Sequence, residues 1–373
     1  MARYRVGMIG VGRKGTQHAR AYALNPLTEV VAAADGDPEN LELFRQRYGV
    51  PCYADYREML ARERLDIAAP ILPVRPNPEV VIACAEAGVR AILCEKPMAA
   101  SLEEADRMVE ACQARRVKLG AGDLDRNLPC FWTARKLLDE GAIGPVRSIT
   151  FHGGSGVEIS GGGCQILSLM RLFAGDAEAA WAIGWMAADP WSDHDQGAAG
   201  YVRFADGVEA FILREPDGRG RGFEVAGDRG VLRYNQEVLS LWQAPEGVER
   251  PGWPDLRQVE GAFSEESVYG RRSSQYDADG WRWPGDRNVA SVQSIVDALE
   301  QDVEPRGSGE NGRKVLELAI ALRESHRRGH AAVQLPLRDR RLRIIAHQGR
   351  MENKKPLMGH DAYMAQVRSA TNF

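Results

Sequence analysis

Six residues near the start of the chain, Gly10-Val11-Gly12-Arg13-Lys14-Gly15, have the types and spacing to hold a pyrophosphate. They follow an apolar, β-prone run, Tyr4 to Ile9, and lead into a helix-forming segment that reads from Gln17 to Leu24. In the order strand, G-x-G-x-x-G, helix, the first glycine permits the tight turn. The second lets the backbone approach the phosphates, and the third lets helix and strand pack closely. Amides at the helix start then face the anion with the helix dipole behind them. A second β-like run, Glu29 to Ala34, stops at Asp35, twenty positions after Gly15. A carboxylate there accepts hydrogen bonds from an adenosine ribose and repels a 2′-phosphate, which points to NAD. Arg13 and Lys14, either of which reaches a phosphate, keep NADP open. Asp37, followed by Pro38 and Glu39, reads instead as a helix N-cap.

Such a turn needs a parallel sheet to carry it, and the first 120 or so residues alternate strand-like and helical patterns accordingly. Further strands are expected at Leu65 to Leu72, Arg90 to Cys94 and Val117 to Ala121. Helices are expected at Pro38 to Tyr48, Asp55 to Arg62, Pro78 to Ala87 and Ser101 to Ala114, the last opened by the capping-box pair Ser101 and Glu104. Beyond this the composition shifts: all eight tryptophans lie at Trp132 or later. Strand-like runs follow at Val146 to His152, Ala179 to Met186, Ala198 to Phe204, Glu209 to Leu213, Gly222 to Ala226 and Val231 to Tyr234, with hairpin-like turns between some of them. Helices read at Pro129 to Glu140, Ile166 to Phe173, Asn288 to Glu300 and Asn311 to Arg328, and the sheet they accompany is mostly antiparallel. Gln243 to Asp286 is a long polar stretch rich in glycine, proline and tryptophan, of the kind inserted over a site or an interface.

A chain of 373 residues is too long for one ordinary core, so two domains are expected. A net charge of −4 favours no polyanionic partner, and no nucleic acid is expected. No apolar run reaches the length of a membrane span, and the N-terminus has no secretory pattern. The six cysteines lack C-x-x-C spacing and mostly lie in apolar stretches, which suits reduced thiols, a cytoplasmic protein and no metal site.

The segment Ile92-Leu93-Cys94-Glu95-Lys96-Pro97-Met98, a strand ending in Glu-Lys-Pro behind an N-terminal dinucleotide turn, resembles the glucose–fructose oxidoreductase and inositol dehydrogenase (Gfo/Idh/MocA) family. Gly141-Ala142-Ile143-Gly144-Pro145-Val146, Arg203-Phe204-Ala205-Asp206-Gly207 and Ala226-Gly227-Asp228-Arg229-Gly230 carry the same resemblance, which covers roughly Arg3 to Leu337. It implies an α/β fold: an N-terminal Rossmann NAD(P)-binding domain, residues 1–121, then an α/β domain with a large open sheet, residues 122–337, for substrate and oligomerisation. A basic arm, residues 338–373, is left over and is expected to pack on a neighbouring subunit in a dimer or tetramer. The resemblance implies nicotinamide-dependent oxidation or reduction of a sugar, polyol or related small molecule. It places Glu95, Lys96 and Pro97 beside the cofactor, with Lys96 on the reacting oxygen and Pro97 often in a cis peptide. The chemistry agrees, because transfer of a hydride to or from an alcohol carbon needs a group that handles the hydroxyl proton and the charge on oxygen.

One family feature is altered. Many relatives carry D-x-G-x-H with a later aspartate on a helix after the first sheet strand, the histidine serving as acid/base. Aligned through Leu169-Met170-Arg171-Leu172-Phe173, the histidine becomes Gln165 and the carboxylates become Gly161 and Ser168. A glutamine orients a hydroxyl but does not titrate. Lys96 then acts alone or with His152, at a strand end, or with Asp123, just after the first domain. Two other readings stay open: an NAD-requiring glycoside-cleaving enzyme that oxidises transiently, eliminates and re-reduces, and a nucleotide-bound sensor without turnover. Asp193-His194-Asp195 reads as a loop entering a strand rather than a metal cluster, since neighbours in an extended segment point to opposite faces. Gly218 to Gly222 reads as a hairpin tip, and Trp253, Trp281, Arg282 and Trp283 as a sugar platform or interface.

Overall fold

A computed structural model describes residues 3–122, 125–153, 158–213, 222–235, 238–248, 252, 255–263 and 287–347. The expectations at Asp123, Gly218 to Arg221, Trp253, Trp281 to Trp283 and residues 348–373 lie outside the described residues. So does most of the polar stretch after Gln243.

In the first half, strands β1 (Tyr4–Ile9), β2 (Thr28–Ala34), β3 (Cys52–Tyr53), β4 (Ile67–Pro70), β5 (Ala91–Leu93) and β6 (Lys118–Gly120) run parallel in the order β3-β2-β1-β4-β5-β6. The order reverses between β1 and β4, and ligands of open α/β sheets gather outside the strand ends at such a point. Five helices connect these strands: α1 (Arg13–Leu24), α2 (Pro38–Tyr48), α3 (Tyr56–Arg62), α4 (Asn77–Glu86) and α5 (Leu102–Ala114). Asp37 caps α2 by accepting from Glu39 N at 2.9 Å, and Ser101 and Glu104 cap α5 reciprocally. Helix α1 starts four residues before the expected Gln17. Glycines read as helix breakers, but Gly15 lies inside the first turn, where close packing on Gly10 outweighs propensity.

The second sheet has nine strands: β7 (Val146–His152), β8 (Ala179–Met186), β9 (Ala198–Phe204), β10 (Glu209–Ile212), β11 (Gly222–Gly227), β12 (Gly230–Asn235), β13 (Val238–Gln243), β14 (Arg257–Gln258) and β15 (Val333–Gln334). Their order is β14-β13-β12-β11-β7-β10-β9-β8-β15, antiparallel except for the parallel pair β7 and β10. Buried and half-buried residues alternate along β9, so one face is covered and the other is open. Among the covering helices are α6 (Pro129–Asp139), α7 (Cys164–Phe173) and α9 (Gly309–Arg327). Phe131 of α6 and Phe173 of α7 meet Phe223 of β11 at ring distances of 6.0 and 4.9 Å. On the half-buried positions Trp181, Tyr201 and Phe211 form a row with ring centroids 5.0 Å apart, the first pair tilted and the second edge-to-face.

Two features cross between the halves. Helix α8 (Arg287–Gln301) packs on the first sheet, where Val289, Val292, Ile295 and Val296 share one core with Val6, Met8, Ala91 and Leu93. Residues 338–347 also lie on their own chain. Arg340 makes a two-pronged pair with Asp106 of α5 at 2.7 Å and reaches Glu317 of α9 at 2.5 Å, while Ile345 pairs with His194. A basic stretch looks free in the sequence, but here its charges meet acidic partners on α5 and α9. No described helix is long and apolar enough to cross a membrane.

Candidate active site

The glycine turn opens a cavity of about 460 Å³ lined by Gly10, Gly12, Gly15, Asp35, Asn40 and Val80, among others. Gly10 has a φ of +81°, and a Cβ on Gly15 would sit 1.8 Å from the Gly10 carbonyl oxygen, so both positions demand glycine. Gly12 caps α1 without a side-chain hydrogen bond, and the first turn holds no acidic residue. A helix start left in this way suits a pyrophosphate. Asp35 accepts from Val11 N at 2.7 Å and from Asp37 N at 2.8 Å, which ties the end of β2 to the turn. A carboxylate has about four acceptor positions, so these bonds leave capacity for a ribose hydroxyl. The donor set and the shape therefore fit a dinucleotide.

Past β5 the chain enters Glu95-Lys96-Pro97, and the Lys96–Pro97 peptide is cis. Three neighbours fix this turn. Glu95 N donates to Pro70 O at 3.1 Å, and the buried Asn77 side chain donates to Glu95 O at 3.0 Å. Gly122, with a φ of +58°, approaches so closely that a Cβ would lie 2.6 Å from Cys94 O and 2.8 Å from Lys96 N. Lys96 lines a second, narrow cavity with Pro97, Ser160, Cys164 and Gly312.

Beneath the turn is a charged cluster. His18 Nε2 lies 3.4 Å from Glu95 Oε2, and both side chains are buried. Burial pushes the Glu95 carboxyl up, but His18, Lys96 and Lys14 together hold it below the ordinary carboxylate range. Burial pushes Lys14 down to about 8, with Glu95 opposing and Lys96, Arg287 and Arg13 adding to the shift. Lys14 and His18 stand four residues apart, on one face of α1.

Gln165 sits in the first turn of α7. Its amide, oriented to satisfy its neighbours, donates to both Asp125 carboxylate oxygens at 2.9 and 2.8 Å. Arg287, at the start of α8, pairs with Asp125 at 3.1 Å. Asp125, two residues beyond the singled-out Asp123, was not anticipated, nor were His18 and Arg287. Only His18 left a sequence signal, its i,i+4 spacing from Lys14. His152 ends β7 opposite Gly222 and is buried, and it is not among the residues lining either cavity. Asp195 accepts from Ile159 N and Ser160 N at 2.9 and 2.6 Å, and Asp193 pairs with Arg343 at 2.7 Å. Both aspartates brace loops, and no group of side chains among the described residues is arranged to hold a metal.

Residues 4–123 match the family model described as an oxidoreductase family with an NAD-binding Rossmann fold. The chain is 34% identical to D-apiose dehydrogenase of Paraburkholderia graminis over 143 residues, only 38% of each protein. It is 27% identical to inositol 2-dehydrogenase of Rhizobium meliloti over 85% of this chain and 95% of that one. An oxidoreductase from Agrobacterium radiobacter, solved with NAD+, L-tartaric acid and magnesium, has the same fold, with a TM-score of 0.72 at 20% identity over 89% of this chain and 98% of that one. The first third of the chain, with the glycine turn and Glu-Lys-Pro, thus matches the NAD-binding Rossmann part of that oxidoreductase family, and the chain as a whole is similar to inositol 2-dehydrogenase and shares the fold of the solved oxidoreductase.

Proposed function

We propose that this protein is an NAD-dependent oxidoreductase acting on a hydroxyl or carbonyl carbon of a sugar, polyol or related carbohydrate derivative, with Lys96 at the reacting oxygen. The observation that carries this reading is the clamped Lys96 turn at the end of β5, one strand (β4) away from β1, whose end bears the glycine turn. Gly10, Gly12 and the start of α1 would hold the pyrophosphate, and Asp35 the adenosine ribose. The bound nicotinamide supplies the hydride acceptor or donor. The Lys96 ammonium holds the charge that develops on the substrate oxygen, an effect worth most where water is excluded. Glu95, kept ionised by its cationic neighbours, orients that ammonium from below. Gln165, its amide nitrogen anchored on Asp125, would offer its carbonyl oxygen as acceptor to a substrate hydroxyl and has no proton to exchange near neutral pH.

The dehydrogenase names of the relatives support a polyhydroxylated substrate. The same reading makes the protein a homo-oligomer through the open sheet face with Trp181, Tyr201 and Phe211, which light scattering tests. For the activity, purified protein with NAD is screened against sugars, polyols and glycosides, following reduced cofactor by absorbance and products by mass spectrometry. Reduced cofactor in step with a ketone or lactone is the expected result. A glycoside cleaved without net reduction moves the assignment to a redox-assisted lyase, and NAD binding with no turnover moves it to a sensor.

A further inference from the structure

The Asp193-His194-Asp195 loop has no part in the reading above, yet it reaches the wall of the Lys96 cavity. Asp195 is buried, and five donors converge on its carboxylate. Its Oδ1 accepts from Ile159 N at 2.9 Å and Gly197 N at 3.0 Å. Its Oδ2 accepts from Ser160 N at 2.6 Å, Ser160 Oγ at 2.6 Å and Gly161 N at 3.4 Å. A carboxylate has about four acceptor positions, so none is left for a substrate proton, and Asp195 is a clamp rather than a base. The loop is tied from behind as well, Asp195 N donating to Ile345 O at 2.9 Å and Ile345 N to Asp193 O at 2.8 Å. On the near side of the clamp Ser160 lines the Lys96 cavity, a space of about 20 Å³ with room for one water-sized group. Among the described residues around it, only Lys96, Ser160 and Cys164 are not apolar or glycine. A serine hydroxyl has one proton to donate, and here it goes to a carboxylate that only accepts. Ser160 Oγ is left with acceptor lone pairs, in the same cavity as an ammonium that only donates. An alcohol hydroxyl satisfies both, accepting from Lys96 Nζ and donating to Ser160 Oγ, whereas a carbonyl oxygen satisfies only the first.

We propose that Ser160 is a specificity-determining residue of this active site, a fixed hydrogen-bond acceptor for the substrate hydroxyl that rests on Lys96. Asp195 is the positioning residue that fixes it. This rests on the site being the dehydrogenase centre proposed above. Ser160 binds the alcohol and discriminates against the carbonyl compound made from it, which has no proton to give. Because Asp195 orients the Ser160 hydroxyl before a substrate arrives, the bond costs little reorganisation on binding. The pair therefore holds the alcohol and lets its oxidised product go.

The test is steady-state kinetics in both directions on the full-length protein, with the alcohol that the wild type oxidises in the screen and the carbonyl compound it yields. Ser160→Ala deletes the hydroxyl and keeps the backbone bonds to Asp195. Its KM for the alcohol is expected to rise about tenfold with kcat unchanged, the loss of one hydrogen bond. With the carbonyl compound and NADH, KM is expected to hold while kcat falls by the same factor, because the carbonyl never made that bond. Ser160→Cys, which keeps the volume but only a weak acceptor, is expected to follow Ser160→Ala. Asp195→Asn, which no longer commits the Ser160 proton, is expected to show the same split. NADH affinity measured by fluorescence stays at the wild-type level in all three. An unchanged KM for the alcohol in Ser160→Ala and Ser160→Cys, or equal rises in KM for alcohol and carbonyl compound, overturns the assignment of Ser160. A loss in Asp195→Asn that falls on the melting point alone overturns the positioning role. If the wild type itself binds no NADH or oxidises no compound of the screen, the reading on which this one rests is overturned instead.

Discussion

Lys96 and Lys14 are both lysines at the ends of β-strands or helices in the sequence, and only their surroundings separate them. Lys96→Ala should abolish turnover while leaving NADH affinity nearly unchanged, because the phosphate and ribose contacts fall on other residues; wild-type rates in that variant would reject its role. Lys14 predicts a stability effect with a definite sign. In the folded protein its value is lowered to about 8, whereas the unfolded chain keeps the ordinary 10.5. Below pH 8 both states are protonated and the folded state bears the cost of the confined charge. Between about 8 and 10.5 the unfolded state binds more protons, so stability rises with pH. Lys14→Met should therefore be more stable than wild type at pH 7 by on the order of 2 kcal/mol, and thermal melts should show that advantage shrinking by pH 10. At this scale the glycine turn and Asp35 stood out because backbone geometry and motif spacing specify them, whereas Lys96 stood out only through the resemblance carried by Glu95-Lys96-Pro97. The Asp125–Gln165–Arg287 group did not, since its members come from three distant segments that only the tertiary fold assembles.

Among the elements, the periodic helices and strands were readable, down to the three-residue β5 and β6, and the two-residue strands were not. Strand β1, helix α2 and strands β7, β8 and β9 fall at the expected residues, while β3 and β15 have two residues each and no period to show. Strand β13 was lost at the edge of the polar stretch that follows it, although Leu239 and Leu241 are buried on alternate positions. What positions Lys96 is the contact between the ends of β5 and β6, where Gly122 leaves no room for a side chain. Gly122→Ala combines a left-handed φ with a close clash against Cys94 O and Lys96 N. It should lower stability by about 1–3 kcal/mol and cut kcat more than it raises KM, read by thermal melts and steady-state kinetics. An unchanged kcat would show that the turn tolerates displacement.

For the whole molecule, the described part of the C-terminal segment acts as a brace. Arg340 joins α5 to α9 through Asp106 and Glu317, and Arg343 ties the same segment to Asp193 beside β9. Arg340→Ala should cost about 1–2 kcal/mol, since it leaves the partly buried Glu317 without its guanidinium and Asp106 with Arg313 alone, and calorimetry should show a melting point lower by a few degrees. The division suggested by sequence, nucleotide half first and sheet half second, describes the order along the chain better than the order in space. Helix α8, made after most of the second sheet, covers apolar residues of the first. This has a consequence for biosynthesis. A nascent chain that has emerged only as far as β6 still exposes Val6, Met8, Ala91 and Leu93, and must wait some 170 residues of translation for the helix that shields them. The N-terminal half should therefore depend on chaperones during synthesis, and residues 1–121 expressed alone should be recovered as aggregate, while the full chain stays in solution.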